Sequence, residues 1–432
     1  MKFIRTFLSA FVFILVFASG AVGQAPNPEQ LIIKDWCVLP LLLEFSPNGG
    51  ELARGCIGYG IAFFDTGNYR IAHTFLSELE YTPDLRAFSY SPDGTMIATA
   101  RGRAGARVWS VADPGKEPKD ALTFSVKEKS GESKGDLYAW DTPLRILQPH
   151  VRGDDKGSVS AIRFSPDGKL LLTVNTNQVK VWNTSTWTIE KELLSDQDQR
   201  PEGVLFSPDG KRLLAWFGNG QNRVWNVGSW TVVGEFTAGN REPNAVAFAP
   251  DSQTVMMADN DGVLHQWSLQ TKREVWNLHT FEGAGNKELC ELSFSPDGKT
   301  MVATSLLGAN PVIVWNTTDW KAQTQSRYNA AAFSKDGKFL ALGGTNHIEL
   351  FDPGSLKELR GIELTELTWD EVRRKDQEKE GDGNEKVPCR VSNLAFSPDS
   401  KTLAAACIQG SQSSRMTVFS GTIRIIKLTS LK

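Results

Sequence analysis

"RFSPDGKLLLTVNTNQVKVWNTSTWTIEKEL", residues 163–193, holds a short apolar run, the turn-former Ser-Pro-Asp-Gly, a second apolar run, and a third ending at Trp182. Proline presets φ near −65° in a tight turn, Asp accepts a local backbone hydrogen bond, and Gly takes the positive φ that closes the hairpin. The flanking runs "SAIRF", "LLLTV" and "VKVWN" are rich in β-branched and apolar residues, so they read as strands. One such unit has too little core to stand alone. It needs neighbours.

Those neighbours are copies of itself. The aromatic that leads the turn recurs as Phe45 (FSPNG), Tyr90 (YSPDG), Phe164, Phe206, Phe248 (FAPDS), Phe294, Phe333 (FSKDG) and Phe396 (FSPDS). Successive spacings are 45, 74, 42, 42, 46, 39 and 63, so most lie near 42 and two carry insertions. A period in this range marks a repeat architecture in which each unit buries its faces against the next. A second landmark follows in step: Phe64, Trp109, Trp182, Trp225, Trp267, Trp315, Phe351 and Ile426, at offsets of 19, 19, 18, 19, 19, 21, 18 and 30. Only the last offset is broken, by the polar insert QGSQSSRMTVFSG.

Units of this form resemble WD repeats, the four-stranded blades of β-propellers, over about residues 31–430. The departures are specific. The Gly-His pair that precedes the first strand in such repeats is absent from every unit, and the Asp of the second hairpin is plain only as Asp261. The closing dipeptide is Trp-Asn in three units and never Trp-Asp. The resemblance therefore implies a divergent, bacterial-style member held by apolar packing rather than by a polar tetrad. The expected fold is all-β: one propeller of eight four-stranded blades, with seven blades plus a partly formed eighth as the alternative. The eighth unit ends at "TIRIIKLTSLK" without a fourth strand, while "LIIKDW" (31–36) precedes the first unit with nothing to pair. That segment is expected to close the ring as the outer strand of the last blade.

Residues 1–23, "MKFIRTFLSAFVFILVFASGAVG", carry Lys2 and Arg5, an apolar stretch from Phe7 to Ala18, and a small-residue cleavage site. This is the pattern of a secretory signal, and twelve apolar residues are short for a membrane span. The expected organisation is a signal at 1–23, a short linker at 24–30, and a propeller at 31–432 with insertions at about 113–158 and 364–388. The destination is the periplasm or the extracellular space, with no stable membrane insertion after cleavage. Removing the signal deletes two positive charges and no negative ones, taking the formal net charge from −3 to −5. With no basic run interleaved with aromatics, nucleic acid is not an expected partner. The protein is expected to be a monomer.

Export permits disulfides, and five cysteines leave at least one unpaired. Cys56 and Cys407 each fall seven residues after the turn, in the first and eighth units, which a closed ring makes neighbours. A Cys56–Cys407 bridge is one expectation and buried free thiols are the other. No cysteine pair has metal or redox spacing, and the five histidines are scattered, so neither a metal nor a cofactor is expected.

The first insertion is Lys/Glu/Gly-rich and contains "GESKG" (131–135), which imitates a hydrolase nucleophile elbow without the required strand and helix. "RGD" (152–154) is read as a chance tripeptide. In the second insertion, Thr368 and Glu371 form a capping-box pattern for a short exposed helix starting at Trp369. Trp369, an aromatic on a polar loop, is a candidate partner contact together with Arg373, Arg374, Asp261 and His347. The sequons at Asn183 and Asn316 fall in the turn after a third strand. Trp187, Trp230 and Trp320 repeat five positions after the third-strand aromatic and are read as packing between blades.

No nucleophile–base pair, metal cluster or phosphate loop is visible, so no catalytic residue is assigned. The function expected from the resemblance is a non-catalytic exported scaffold that binds a protein or peptide across one ring face. The alternative is an enzyme or small-ligand binder using the central channel. The first strands that would line that channel are mostly apolar, with isolated Glu44, Arg86, Arg163 and Glu291.

Overall fold

The computed structural model describes residues 30–35, 40–56, 60–75, 85–101, 106–111, 145–147, 151–152, 155–156, 159–175, 178–194, 201–237, 243–259, 261–279, 289, 291–305, 312–325, 328–368, 371, 384–412 and 417–428. The expected signal and residues 24–29 of the linker lie outside them, while Gln30, assigned to the linker, opens the N-terminal strand. Each repeat forms one antiparallel sheet whose four strands run in chain order. Blade 1 is Pro40–Phe45, Glu51–Cys56, Gly60–Asp65 and Ile71–Phe75. Blades 2 to 7 begin at Leu85, Val159, Pro201, Pro243, Glu291 and Tyr328. Blade 8 takes Arg390–Phe396, Thr402–Gln412 and Thr417–Lys427 from the end of the chain and Gln30–Asp35 from its start. The N-terminal strand pairs antiparallel with the last one, Leu31 opposite Ile425 and Ile33 opposite Ile423. Eight blades and closure by the N-terminal strand are as expected from the repeat count.

The ring holds because each blade is apolar on both faces. Second strands such as Thr300–Thr304 are buried throughout, as strands covered on both sides must be. Apolar clusters straddle every consecutive pair of blades. Blades 2 and 3 share Ala98, Val108, Ile162 and Leu171, for example, and blades 7 and 8 share Ile348, Leu350, Val391 and Leu403. The pair that closes the circle, blades 8 and 1, shares Ala404, Ile423, Leu43 and Phe64. Close approach demands small residues: a Cβ on Gly343 of blade 7 would sit 2.5 Å from Val391 Cγ1 of blade 8. The repeated tryptophans pack between blades as expected. Trp187 joins the cluster of blades 2 and 3, and Trp320 meets Trp276 of blade 5 edge-on at 4.5 Å.

Serine is the hidden centre of the repeated turn. Ser165 is buried; its hydroxyl donates to Asp167 Oδ1 at 2.6 Å and accepts from the Leu170 N–H at 2.9 Å. Asp167 Oδ1 in turn accepts from the Lys169 N–H at 3.1 Å, and Gly168 sits at φ +73. Each turn also touches the one before it around the ring. Gly168 faces Pro92 of blade 2, Gly210 faces Pro166, and Gly49 faces Pro398 across the closure. A radial brace then ties this turn to the one between the third and fourth strands: the N–H groups of Thr66, Thr184 and Thr317 donate to the carbonyls of Gly50, Lys169 and Lys299. In blade 7 the equivalent position is Pro353, which has no N–H to give. Its carbonyl instead accepts from Thr300 Oγ1 of blade 6 at 2.7 Å.

One expectation is corrected here. Cys407 is bonded to Cys389, not to Cys56, with Cα atoms 5.2 Å apart. Equivalent positions on adjacent blades are separated by the stacking distance of two sheets, about 10 Å, which exceeds disulfide reach. Cys389 instead precedes Val391, the cross-strand partner of Cys407 in the same sheet. The described residues of the polar insert in the eighth unit continue the ladder, with Gln409 opposite Ser420, Ser411 opposite Val418 and Gln412 opposite Thr417. The hairpin of blade 8 is thereby extended beyond the ring.

Candidate functional site

Antiparallel order sends the Ser-Pro-Asp-Gly turns and the third-to-fourth-strand turns to one face of the ring, called the turn face below. The second hairpins and the connections between blades emerge on the other. The first insertion joins the third strand of blade 2, Ala106–Ser110, to its fourth, Arg145–Leu147, and so leaves from the turn face. Its described remainder includes a small hairpin pairing Val151–Arg152 with Asp155–Lys156. The second insertion and the long hairpin of blade 8 project from the opposite face.

On the turn face, a cavity of about 500 Å³ is lined by the first strands and turns of blades 4, 5 and 6, with Pro166 of blade 3 at its edge. Its walls are apolar: Leu205, Val246 and Phe294 are only half-buried there, and Pro208, Pro250 and Pro296 form the rim. Charge stands on either side by repeat position. Arg163 of blade 3 occupies the place that Leu205 holds in blade 4, and Lys335 of blade 7 occupies the place that Pro296 holds in blade 6. Both lie within electrostatic reach of Glu44 in blade 1. Protein encloses Glu44 although its side chain reaches channel water, and that desolvation pushes its carboxyl up, against the pull of Arg163 and then Lys335. Desolvation likewise raises the Glu291 carboxyl, which accepts from Thr304 Oγ1 at 3.4 Å. The Arg86 side chain lies outside the described residues.

The remaining candidates have structural duties or lie outside the described residues. Asp261 is exposed at a turn tip in blade 5. The aspartate that organises this hairpin is Asp259, two residues earlier: its Oδ1 accepts from the N–H groups of Asp261 and Val263, at 2.9 and 2.8 Å. Its Oδ2 lies 3.2 Å from His265 Nε2, while His265 Nδ1 lies 2.7 Å from Glu274 Oε1. The sequence reading missed this buried knot because its members are spread over three strands. His347 begins a third strand, half-buried, with Nδ1 2.8 Å from the Thr345 carbonyl and its ring packed against Tyr328. These contacts fix the ring within blade 7. Trp369, Arg373, Arg374 and the "GESKG" segment lie outside the described residues. The Glu371 carboxylate accepts from Thr368 N–H at 2.8 Å and Thr368 Oγ1 at 3.2 Å, so the capping residues do meet.

Asn183 and Asn316 shape their turns, each accepting backbone N–H groups on its side-chain oxygen. Part of the polar bracing within blades survives: Trp109 Nε1 donates to Thr99 Oγ1 at 3.1 Å and Trp182 Nε1 to Thr173 Oγ1 at 2.9 Å. No group of His, Cys, Asp and Glu able to hold a metal ion is found among the described residues. None of their helices is long and apolar enough to cross a membrane.

Against known proteins, the family model for the WD domain, G-beta repeat, matches residues 141–183, which takes in the first three strands of blade 3. No curated protein matches the chain in sequence.

Proposed function

We propose that this eight-bladed propeller, with its WD-repeat match over residues 141–183, is a non-catalytic, exported scaffold of the WD-repeat family that binds a protein or peptide on its turn face. The observation that carries this is the apolar cavity of about 500 Å³ over blades 4 to 6, set in a rim of hydrogen-bonded turns. A preformed concave surface with half-buried aliphatic and aromatic walls is what an apolar anchor residue of a partner needs. Rigid turns lower the entropy lost on docking. The Cys389–Cys407 disulfide supports an oxidising destination, in line with the N-terminal pattern of residues 1–23.

The test is recovery of partners from the exported fraction by tagged protein, beside Leu205→Glu and Val246→Glu. A partner held by the native chain and lost from both variants supports this face. A partner retained by both variants moves binding elsewhere, and recovery of none rejects the scaffold. Fractionation of the expressing cells checks export.

Glu44 and Glu291 favour a second reading, since carboxyls that reach solvent yet have their pKa raised by desolvation suit acid–base work in a channel. Turnover of a panel of sugars or peptides, lost on Glu44→Gln or Glu291→Gln, would put that reading first.

A further inference from the structure

At the root of the long hairpin, blade 8 buries more polar capacity than its neighbours satisfy. Gln409, Thr422 and Arg424 are 0 %, 2 % and 0 % exposed. The register sets Cys407 opposite Thr422, Ala405 opposite Arg424 and Gln409 opposite Ser420. Side chains alternate along a strand, so Gln409, Cys407, Thr422 and Arg424 share one face of the sheet. It is the face on which Cys407 and Ala405 pack with Ile362 and Leu364 of blade 7. Facing and next-but-one positions on such a face are about 5 to 8 Å apart, so Thr422 neighbours both Gln409 and Arg424. Those two stand four residues apart along the ladder, about 13 Å, and share one small ligand by leaning towards Thr422.

Arg424 Nη2 donates to the Thr365 carbonyl at 3.0 Å. Its Nε and Nη1, Thr422 Oγ1, and both Gln409 amide atoms have no hydrogen-bond partner. Burial pushes the Arg424 pKa down to about 10, with Glu371 pulling it back. Even so, the guanidinium stays charged at neutral pH. The Glu371 carboxylate accepts hydrogen bonds from Thr368. A buried cation with unused donors is unfavourable unless something answers both its charge and its hydrogen bonds.

We propose that Arg424, Thr422 and Gln409 form a binding site for a small oxyanion. The guanidinium supplies the opposite charge, and the hydroxyl and amide complete a set made mostly of donors, which suits oxygen acceptors and repels cations. Water alone would fill the hydrogen bonds and add nothing to the Glu371 charge in offsetting the desolvation of the guanidinium. A carboxylate and a tetrahedral anion share the required chemistry, and the site is separate from the turn-face cavity.

The test is thermal unfolding of the full chain in sodium chloride, with sulfate, phosphate or acetate added at matched ionic strength. The expected result is a saturable rise in Tm beyond chloride. Sulfate and phosphate acting without acetate would assign a tetrahedral ligand, and acetate matching them a carboxylate. Thr422→Val, which keeps the shape and removes the hydroxyl, should weaken the apparent affinity about fivefold to tenfold. Gln409→Glu puts a negative charge into the site in place of the amide, so it should abolish the response to added anion. A response no greater than in chloride, one that never saturates, or one unchanged in both variants overturns the site.

Discussion

Ser252 Oγ accepts a hydrogen bond from the Asp209 N–H at 3.1 Å, joining the turn of blade 5 to that of blade 4, while the Ser252 backbone sits at φ +57. Ser400 does the same for the Asp336 N–H at 3.2 Å between blades 8 and 7. Both serines stand where most other repeats have glycine. The hydroxyl thus offsets the cost of a left-handed backbone. Ser252→Ala should keep the strain and lose the bond, costing about 1 kcal/mol. Ser252→Gly should relieve the strain as it loses the bond and come out within about 0.5 kcal/mol of the native chain. Denaturant unfolding distinguishes them, and equal losses in the two variants would contradict the account.

Ser165→Ala removes a buried hydroxyl and strands the Leu170 N–H. The expected cost is about 1 to 3 kcal/mol. Blade 5 is the natural control. There Ala249 takes the serine position, and Asp251 Oδ1 accepts from the Thr254 N–H at 2.9 Å instead. Ala249→Ser should therefore change stability by no more than about 0.5 kcal/mol. A large gain from that change would mean that Asp251 does not stand in for the missing hydroxyl.

The Cys389–Cys407 bridge spans 18 residues, a loop whose closure limits the unfolded chain by about 3 kcal/mol. Cys407→Ser should lower stability by up to that amount, whereas Cys56→Ser should leave the bridge intact. Alkylation in denaturant without reductant, followed by peptide mapping, reads the pairing directly. Label on Cys389 or Cys407 would refute it.

Two kinds of carboxyl set opposite pH trends. The Ser165 hydroxyl, followed by the Lys169 N–H and charge, holds Asp167 below the usual aspartate range, and Ser91 does the same for Asp93. Their contribution is complete above the unfolded value of about 3.9 and is lost as pH falls through the lower folded value. Glu51 is the reverse: burial foremost, with the Asp65 charge adding, pushes it up to about 7 despite the Tyr90 hydroxyl. Its stabilising protonated form is lost as pH rises from about 4.3 towards that value. Stability should peak at about pH 4, between those two windows, and Glu51→Gln should flatten the decline from there towards about pH 7. A Glu51→Gln profile that falls as steeply as the native one would exclude Glu51 as the cause.

The ring was legible because its period is imposed by turn chemistry and by an aromatic that must fill the same inter-blade space each time. Phe164 and Trp182 therefore predicted sheets, their number and the closing strand. The role of Ser165 was legible too and went unread, since the same serine stands in seven of the eight turns but proline, Asp and Gly already accounted for a turn. Cys56 and Cys407 misled because equal positions in the repeat are a sheet spacing apart, not a strand spacing. The segment 409–421 hid its strands because a hairpin projecting from the ring has no neighbouring blade to demand apolar alternation. Arg163 was visible as a channel charge, but its pairing with Lys335 about Glu44 emerged only once the blades were in a circle, since blades 1, 3 and 7 are far apart along the chain.

Gln30–Asp35 leaves the ribosome hundreds of residues before its partner Thr417–Lys427. Until the last segment arrives, blade 8 cannot form, and blade 1 has nothing to cover the side it presents to it. Synthesis must therefore reach Lys427 before the final seam can be sealed, so a prematurely terminated product would display bare sheet to chaperones and proteases.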